Sequence, residues 1–400
     1  MSNLPLEGIR VIEIGLGGVA PGLTKQLGDF GAQVIKVESK TKPDIMRGTA
    51  AHKREKAVAF AVHHRNKLGL GVNLKTPMGV EIVRRLIKVS DVIAENYSLG
   101  VMERWGLDYE HVRQIKPDII MFSGRGLGSI GPKAWYKLWG PNFVPLIGLT
   151  DFWSFPGDPK PWGSATNYAD YFGSRQGAFA VLAALLYRAK TGKGQYIDQA
   201  HAEAGATLMG HVYLDWAANR RVWKPRGNHS PYAAPHSCYR CSGEDRWCVI
   251  DVSTDEEWRS LCNAMGNPEW TKDVRFATLA RRLENVNELD RLIEQWTINL
   301  SPYEVMEVLQ EAGVPAGVVQ NGQDLYNDPH LRGRGFLVDI NHPVMGDVTY
   351  EGIPMKLSET PGSVRSAAPM IGQHTRLVCT EILGMSSGEV EDLIVEGVLD

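Results

Sequence analysis

The sequence predicts an α/β fold: a large Rossmann-like domain with a doubly wound parallel sheet, joined to a smaller α+β domain. Three observations carry this. Strand and helix patterns alternate through the first half of the chain. The pattern then changes to a hairpin followed by helices with capping boxes. And 400 residues exceed the ~100–200 typical of one domain.

The elements follow in order. Ile9–Ile14 reads as a short apolar strand, Leu23–Phe30 as a helix and Gln33–Glu38 as a second strand. Thr76-Pro77 opens a helix with a capping threonine and an N1 proline; Val80, Val83, Leu86 and Ile87 supply its apolar face. Asp91–Glu95 and Asp118–Phe122 are further strands, Tyr171–Ala189 a long apolar helix and Gly194–Asp198 another strand. Repeated strand–helix units of this kind make a parallel sheet. His201–Asn219 reads as helical, and Arg220–His236, rich in Arg, Pro, Gly and Asn, as a linker. The smaller domain follows, with capping boxes at Thr254-x-x-Glu257 and Ser301-x-x-Glu304. Two final helices are expected near Gln373–Leu383 and Ser386–Glu396.

Composition excludes several classes. A formal net charge of −3 gives no basic surplus for a nucleic-acid partner and no acidic tail. No apolar run reaches the ~18–20 residues needed to cross a bilayer, so no membrane partner is expected. Residues 1–8 lack the basic-then-apolar pattern of a secretory signal. The five cysteines, Cys238, Cys241, Cys248, Cys262 and Cys379, suit a reducing cytoplasm better than a disulfide framework. Cys238-x-x-Cys241 with His236 and Cys248 admits a zinc reading, but structural zinc sites usually bring two spaced pairs. A hairpin turning through residues 242–245 is the preferred reading, with no metal. There are 42 glycines and 11 tryptophans; glycine stands above its usual roughly 7%, which suggests tight turns or close backbone approach to a ligand.

One glycine cluster has a candidate role. Gly15-Leu16-Gly17-Gly18-Val19-Ala20 follows the first strand, satisfies G-x-G-x-x-G/A, and has Glu38 at the end of the next strand. That pattern favours an NAD-dependent oxidoreductase. Pro21 removes an N–H where phosphate donors are needed, and Lys36, Lys40 and Lys42 crowd Glu38 in a way that suits an extra phosphate. A tight turn with no ligand stays open for so short a motif.

Further segments carry a resemblance. They are residues 5–11, 31–38, Asn66-Lys67, 74–77, 95–97, 100–104, 191–195, 313–317 and 372–375. In this order they resemble the family III CoA-transferases, the family of formyl-CoA:oxalate and carnitine CoA-transferases. The resemblance spans nearly the whole chain. It implies a large domain built from both termini, and two chains in an interlocked dimer with active sites between subunits. The domain boundaries then read 1–200, a linker over 201–236, a small domain over 237–319, a linker over 320–345, and 346–400 returning to the large domain.

By that resemblance the catalytic aspartate is Asp170. From the residues alone Asp170 is a plausible helix N-cap, the commoner role there; the two readings are compatible, since a helix N-terminus favours a carboxylate and a nucleophile requires one. The resemblance further implies CoA contacts at Gly18, Val19, Lys75, Asn96, Tyr97, Arg104 and Lys137. Where the family often has arginine after the strand-end glutamate this chain has Ser39, and Lys40 is the substitute cation. The glycine-run loop of some members is absent between Arg226 and Asp251. Coenzyme A thioesters are expected as substrates, with no tightly bound cofactor.

The same fold serves α-methylacyl-CoA racemases, which pair a histidine with an aspartate. No histidine lies between His111 and His201, where that partner is expected, so racemisation is disfavoured. Trp135, Trp139, Phe143, Trp153, Phe155 and Trp162 precede Asp170, and Tyr168 and Tyr171 flank it. They read either as core or as a wall for an aryl acid. Local wording around Asp170, Gly194–Asp198 and Arg226–Asn228 resembles the benzylsuccinate CoA-transferase branch, implying succinyl-CoA as donor and benzylsuccinate as acceptor. A second carboxylate calls for a cation, and Arg47, Arg125 and Arg175 are the candidates. That branch pairs two related subunits, so a homodimer, a heterodimer with a homologous subunit, and a non-catalytic partner chain are all open.

Overall fold

The computed structural model describes residues 4–48, 50–161, 163 and 166–400. The chain divides into two compact units. The larger comprises Met1–Leu149, Ser164–Arg220 and His330–Asp400; the smaller comprises Thr150–Gly163 and Arg221–Pro329.

Six parallel strands form the centre of the larger unit: β1 (Arg10–Ile14), β2 (Gln33–Glu38), β3 (Lys67–Gly71), β4 (Val92–Glu95), β5 (Ile120–Arg125) and β6 (Tyr196–Ala200). Their order is β3-β2-β1-β4-β5-β6, and Ile12 lies opposite Ile35 on one side and Ile93 on the other. Both faces are buried, as the apolar strand sequences require. Val11, Val34, Val92 and Ile120 pack with Leu23 and Leu27 of the Val19–Asp29 helix and with Ala178 and Val181 of the Tyr168–Thr191 helix. On the opposite face Ile12, Ile35, Ile93 and Met121 pack with Leu86 and Ile87, and with Val378, Leu393 and Leu399 from the C-terminal segment. Gly71 O accepts from Asp400 N–H, and Gly71 N–H donates to Thr375 Oγ1. The two ends of the chain therefore build one sheet unit.

This order has a direct consequence. The strand sequence reverses direction between β1 and β4, and in open α/β sheets ligands bind beyond the carboxyl ends at that switch point. The glycine loop leaves β1 there and Asn96-Tyr97 leaves β4.

Several elements differ from the pattern read along the chain. The helix expected over His201–Asn219 is three pieces, His201–Ala206, Thr207–Met209 and Gly210–Asn219, with glycine at 205 and 210 weakening continuity. The last strand runs two residues later, because Tyr196–Ala200 is the segment in register with Met121–Arg125. The penultimate helix begins at Thr375 and passes into a π-helical turn over Val378–Ile382. Thr150–Gly163 groups with the smaller unit, and residues 337–351, expected to be partly linker, form a hairpin of the larger one, β10 (Leu337–His342) with β11 (Gly346–Glu351).

In the smaller unit the cysteine segment is a hairpin, β7 (His236–Arg240) against β8 (Trp247–Asp251), extended by β9 (Ala316–Val318). Burial raises the thiols of Cys238, Cys241 and Cys248, and among the described residues no group of three His, Cys, Asp or Glu side chains is arranged to hold a metal ion. Both predicted capping boxes form, at Thr254–Glu257 and Ser301–Glu304. Trp258, Phe276, Leu289, Ile293, Val305 and Leu309 fill the core. Among the described residues no helix is long and apolar enough to cross a membrane.

Candidate active site around Asp170

The glycine loop after β1 is held from below by its own fold. Leu16 N–H donates to Asn96 Oδ1 at 2.8 Å, and Asn96 Nδ2 donates back to Leu16 O at 2.7 Å. Gly17, at φ +74°, gives its N–H to Asp44. Two loop donors that a dinucleotide phosphate would use are thus taken by side chains. Glu38 is gripped by Arg47 through bonds of 2.6 and 3.0 Å, so it is not available to a ribose. Lys36 is wholly buried between Glu13 at 3.0 Å and Asp44 at 2.9 Å. The NAD reading of this loop is therefore corrected: its acid and one of its nearby cations belong to an internal ion network.

Asp170 sits where that loop ends. It is the third residue of the Tyr168–Thr191 helix, whose N-cap is Asn167, so the N-cap expectation is also corrected. Freed from capping, its side chain lies against two glycines. A methyl group on Gly18 would come within 2.8 Å of Asp170 Cβ, Cγ and Oδ2, and one on Gly140 within 2.9 Å of Oδ2. Glycine is required here for space, since Gly18 has an ordinary negative φ. The carboxylate is 16% exposed. Burial pushes its pKa up to about 6. The helix N-terminus pulls the other way by at most ~1–2 kcal/mol, and burial wins. One unit above that value, at pH 7, the group is still mostly ionised.

His201 is the neighbour that sequence reasoning missed. Its Nδ1 lies 3.7 Å from Asp170 Oδ1. The imidazole is 5% exposed, meets Phe143 edge-on at 5.3 Å between ring centroids, and occupies space left by Gly124 and Gly173. Neither ring nitrogen has a hydrogen-bond partner among the described residues. Burial lowers its pKa to about 4, so it is neutral at pH 7. His201 closes the interval from His111 that holds no histidine, so chain position alone conceals it. A better signal was available: a polar residue leaving the carboxyl end of a buried parallel strand.

A cavity of about 370 Å³ opens beside Asp170, lined among others by Gly18, His63, Tyr171, Ser174 and Arg175. Of the three arginines named for a second carboxylate, Arg175 alone lines it. Arg47 is buried against Glu38 and Glu55, and Arg125 is buried beside Glu95 and Ser129. The aromatic run divides. Phe143 is buried, Trp135 and Trp139 are 70% and 60% exposed, Trp153 and Phe155 belong to the smaller unit, and Trp162 lies outside the described residues.

The residues named for CoA all follow the carboxyl ends of β1 to β5. Gly18 touches Asp170, and Val19 is a wholly buried core residue that offers a ligand only its backbone. Asn96 braces the glycine loop. Tyr97 packs edge-on to Trp105 with Lys42 over its ring. Lys40, Lys75, Arg104 and Lys137 are exposed cations in the separate segments that follow β2, β3, β4 and β5, Arg104 on the short Val101–Trp105 helix and the others on loops.

Comparison with known proteins agrees with this geometry. The chain is 32% identical to the succinyl-CoA–D-citramalate CoA-transferase of Chloroflexus aurantiacus, over 99% of this chain and 98% of that one. It is 34% identical to the beta subunit of that organism's succinyl-CoA–L-malate CoA-transferase, over 98% of this chain and 97% of that one. A CAIB/BAIF family protein from Brucella suis superposes with a TM-score of 0.87 at 30% identity, covering 95% of this chain and all of the other. Residues 6–375 match the family model for CoA-transferase family III. The chain belongs to that family and is an enzyme that transfers CoA.

Proposed function

We propose that this enzyme moves CoA from succinyl-CoA to a second carboxylic acid through covalent intermediates on Asp170. The observation that carries this is a buried but ionisable carboxylate wedged between Gly18 and Gly140 at the carboxyl end of the sheet. The carboxylate attacks the thioester carbonyl, an O–C bond forms, the C–S bond breaks, and CoA leaves as thiolate. The thiolate then attacks the aspartyl carbonyl of the mixed anhydride, giving aspartyl-CoA and the free donor acid. The acceptor carboxylate displaces CoA to form a second anhydride, and CoA attacks its acyl carbon to release the new thioester and regenerate Asp170. No net proton is consumed. Dividing the exchange into several acyl transfers is the value of a covalent nucleophile.

Succinyl-CoA as donor is supported by the names of both relatives above. Lys40, Lys75, Arg104 and Lys137 supply cations for the CoA phosphates and Tyr97 a face for the adenine. For the acceptor, the reading is supported by Arg175, which lines the cavity and offers a cation to a second carboxylate, and by Tyr171 and His63, 5.8 Å apart between ring centroids, which favour an aryl-substituted acid such as benzylsuccinate. The enzyme works as an interlocked dimer, with a second copy or, as the beta subunit among its relatives suggests, with a homologous chain. Asp170 makes this chain the catalytic member.

Hydroxylamine trapping during incubation with succinyl-CoA tests the nucleophile: peptide mass spectrometry should place a hydroxamate on Asp170. Exchange that continues without that adduct overturns the mechanism. A panel of acceptor acids, assayed with the chain alone and with a homologous subunit, tests the acceptor; citramalate or malate outrunning benzylsuccinate would exclude the aryl assignment.

A further inference from the structure

The two oxygens of Asp170 face different surroundings, and the reaction treats them differently. Oδ2 lies in the gap between Gly18 and Gly140, while Oδ1 faces His201 Nδ1 at 3.7 Å. We infer that Oδ2 is the attacking oxygen and that His201 donates its Nδ1 hydrogen to Oδ1, stabilising the oxyanion that forms each time the aspartyl carbonyl is attacked. This rests on Asp170 being the nucleophile.

The atom accounting makes the assignment specific. When Oδ2 bonds to the donor acyl carbon, Oδ1 becomes the aspartyl carbonyl oxygen of the anhydride. Thiolate attack on Cγ then forms the S–Cγ bond and breaks Cγ–Oδ2, so the donor acid leaves carrying Oδ2. The acceptor carboxylate later attacks the same Cγ and expels CoA. In both steps the negative charge of the tetrahedral intermediate sits on Oδ1, which is never exchanged. In the other two steps the charge sits on the substrate's own acyl oxygen, away from His201. One donor at Oδ1 therefore serves half of the acyl transfers.

The pocket is built for an imidazole. Gly124 and Gly173 make room for the ring, and Phe143 holds its edge. A buried polar group normally finds a partner, and one without a partner costs stability. That cost is intelligible if the donor is held for a charge that appears only during the reaction. Neutral at pH 7, His201 carries a hydrogen on one nitrogen, and the tautomer with that hydrogen on Nδ1 points it at Oδ1. Closing 3.7 Å to hydrogen-bond length needs a movement under ~1 Å, and such contacts are often long before substrate binds.

The test uses the full-length enzyme with succinyl-CoA. His201→Phe keeps the ring and removes the donor; kcat should fall by ~10²–10³-fold, the usual cost of one lost oxyanion donor, with KM within about threefold. Because only attack at Cγ is affected, the loss should fall on formation of the aspartyl-CoA thioester, followed by intact-protein mass spectrometry after mixing with succinyl-CoA, while succinyl-CoA affinity is retained. His201→Asn, which retains an N–H, should recover part of the rate, and it is the variant to measure if the phenylalanine variant fails to fold. Wild-type kcat in His201→Phe, or aspartyl-CoA formed at the parent rate, overturns the role of His201. Absence of a hydroxamate on Asp170 in the parent enzyme overturns instead the assignment of the nucleophile.

Discussion

Two buried carboxylates of the larger unit end with pKa values shifted in opposite directions. Glu13, on β1, is wholly enclosed, and burial by itself would raise its pKa. Lys67 at 2.6 Å and Lys36 at 3.0 Å reverse that and bring it to about 2. Asp170 is enclosed without a cation in contact among the described residues, and burial alone moves it to about 6. The difference lies in the neighbours, since desolvation disfavours charge at both sites and only Glu13 is compensated. The compensated group is scaffold: with Lys36 and Asp44 it holds Gly17 in place. The uncompensated one is the proposed nucleophile, because a carboxylate that is not tied up by a cation can attack.

The pH dependences are opposite as well. Glu13 has a lowered folded pKa, so its stabilisation is present above about 4.5 and is lost as pH falls toward about 2. Asp170 has a raised one, so the folded state is favoured while it is protonated and becomes less stable as pH rises from about 3.8 to about 6.

Four outcomes sharpen or break this contrast. Asp170→Asn should remove activity by about four orders of magnitude or more, in the range seen on loss of a nucleophile; CoA transfer assayed at saturating substrate decides it. Glu13→Gln should cost ~3–5 kcal/mol in urea unfolding, because two buried lysines lose their shared anion. A loss under ~1 kcal/mol would mean that the network is hydrated and the comparison void. The same Asp170→Asn variant should be more stable than the parent at pH 8, by up to ~3 kcal/mol for a shift of about two units. That gain should shrink to nothing near pH 4, and kcat/KM of the parent should rise through a pKa near 6. A stability difference that is flat with pH would place water around Asp170. Gly18→Ala, which sets a methyl group against Asp170, should lower kcat ~10–100-fold and cost ~1–3 kcal/mol as an overpacked site.

Much of this could be read along the chain. Alternating apolar strands and helices, Thr76-Pro77 at a helix start and the two capping boxes depend on residues a few positions apart, where propensity and side-chain caps act locally. The proposal of Asp170 also starts there, from segments in a recognisable order. The helix cap lies at Asn167, three residues before Asp170; asparagine and aspartate both suit a helix start, so local sequence does not separate the two positions.

What the chain order could not supply was who stands next to whom across the sheet. His201 lies 31 positions after Asp170 and reaches it only because β6 pairs with β5 in one register. Arg47 and Glu38 look like ligand-binding residues until the fold bonds them to each other. The charge state of Asp170 is not legible along the chain either, since it depends on desolvation by residues distant in sequence. Local chemistry determines the elements and proposes the nucleophile; long-range packing sets its neighbour and its pKa.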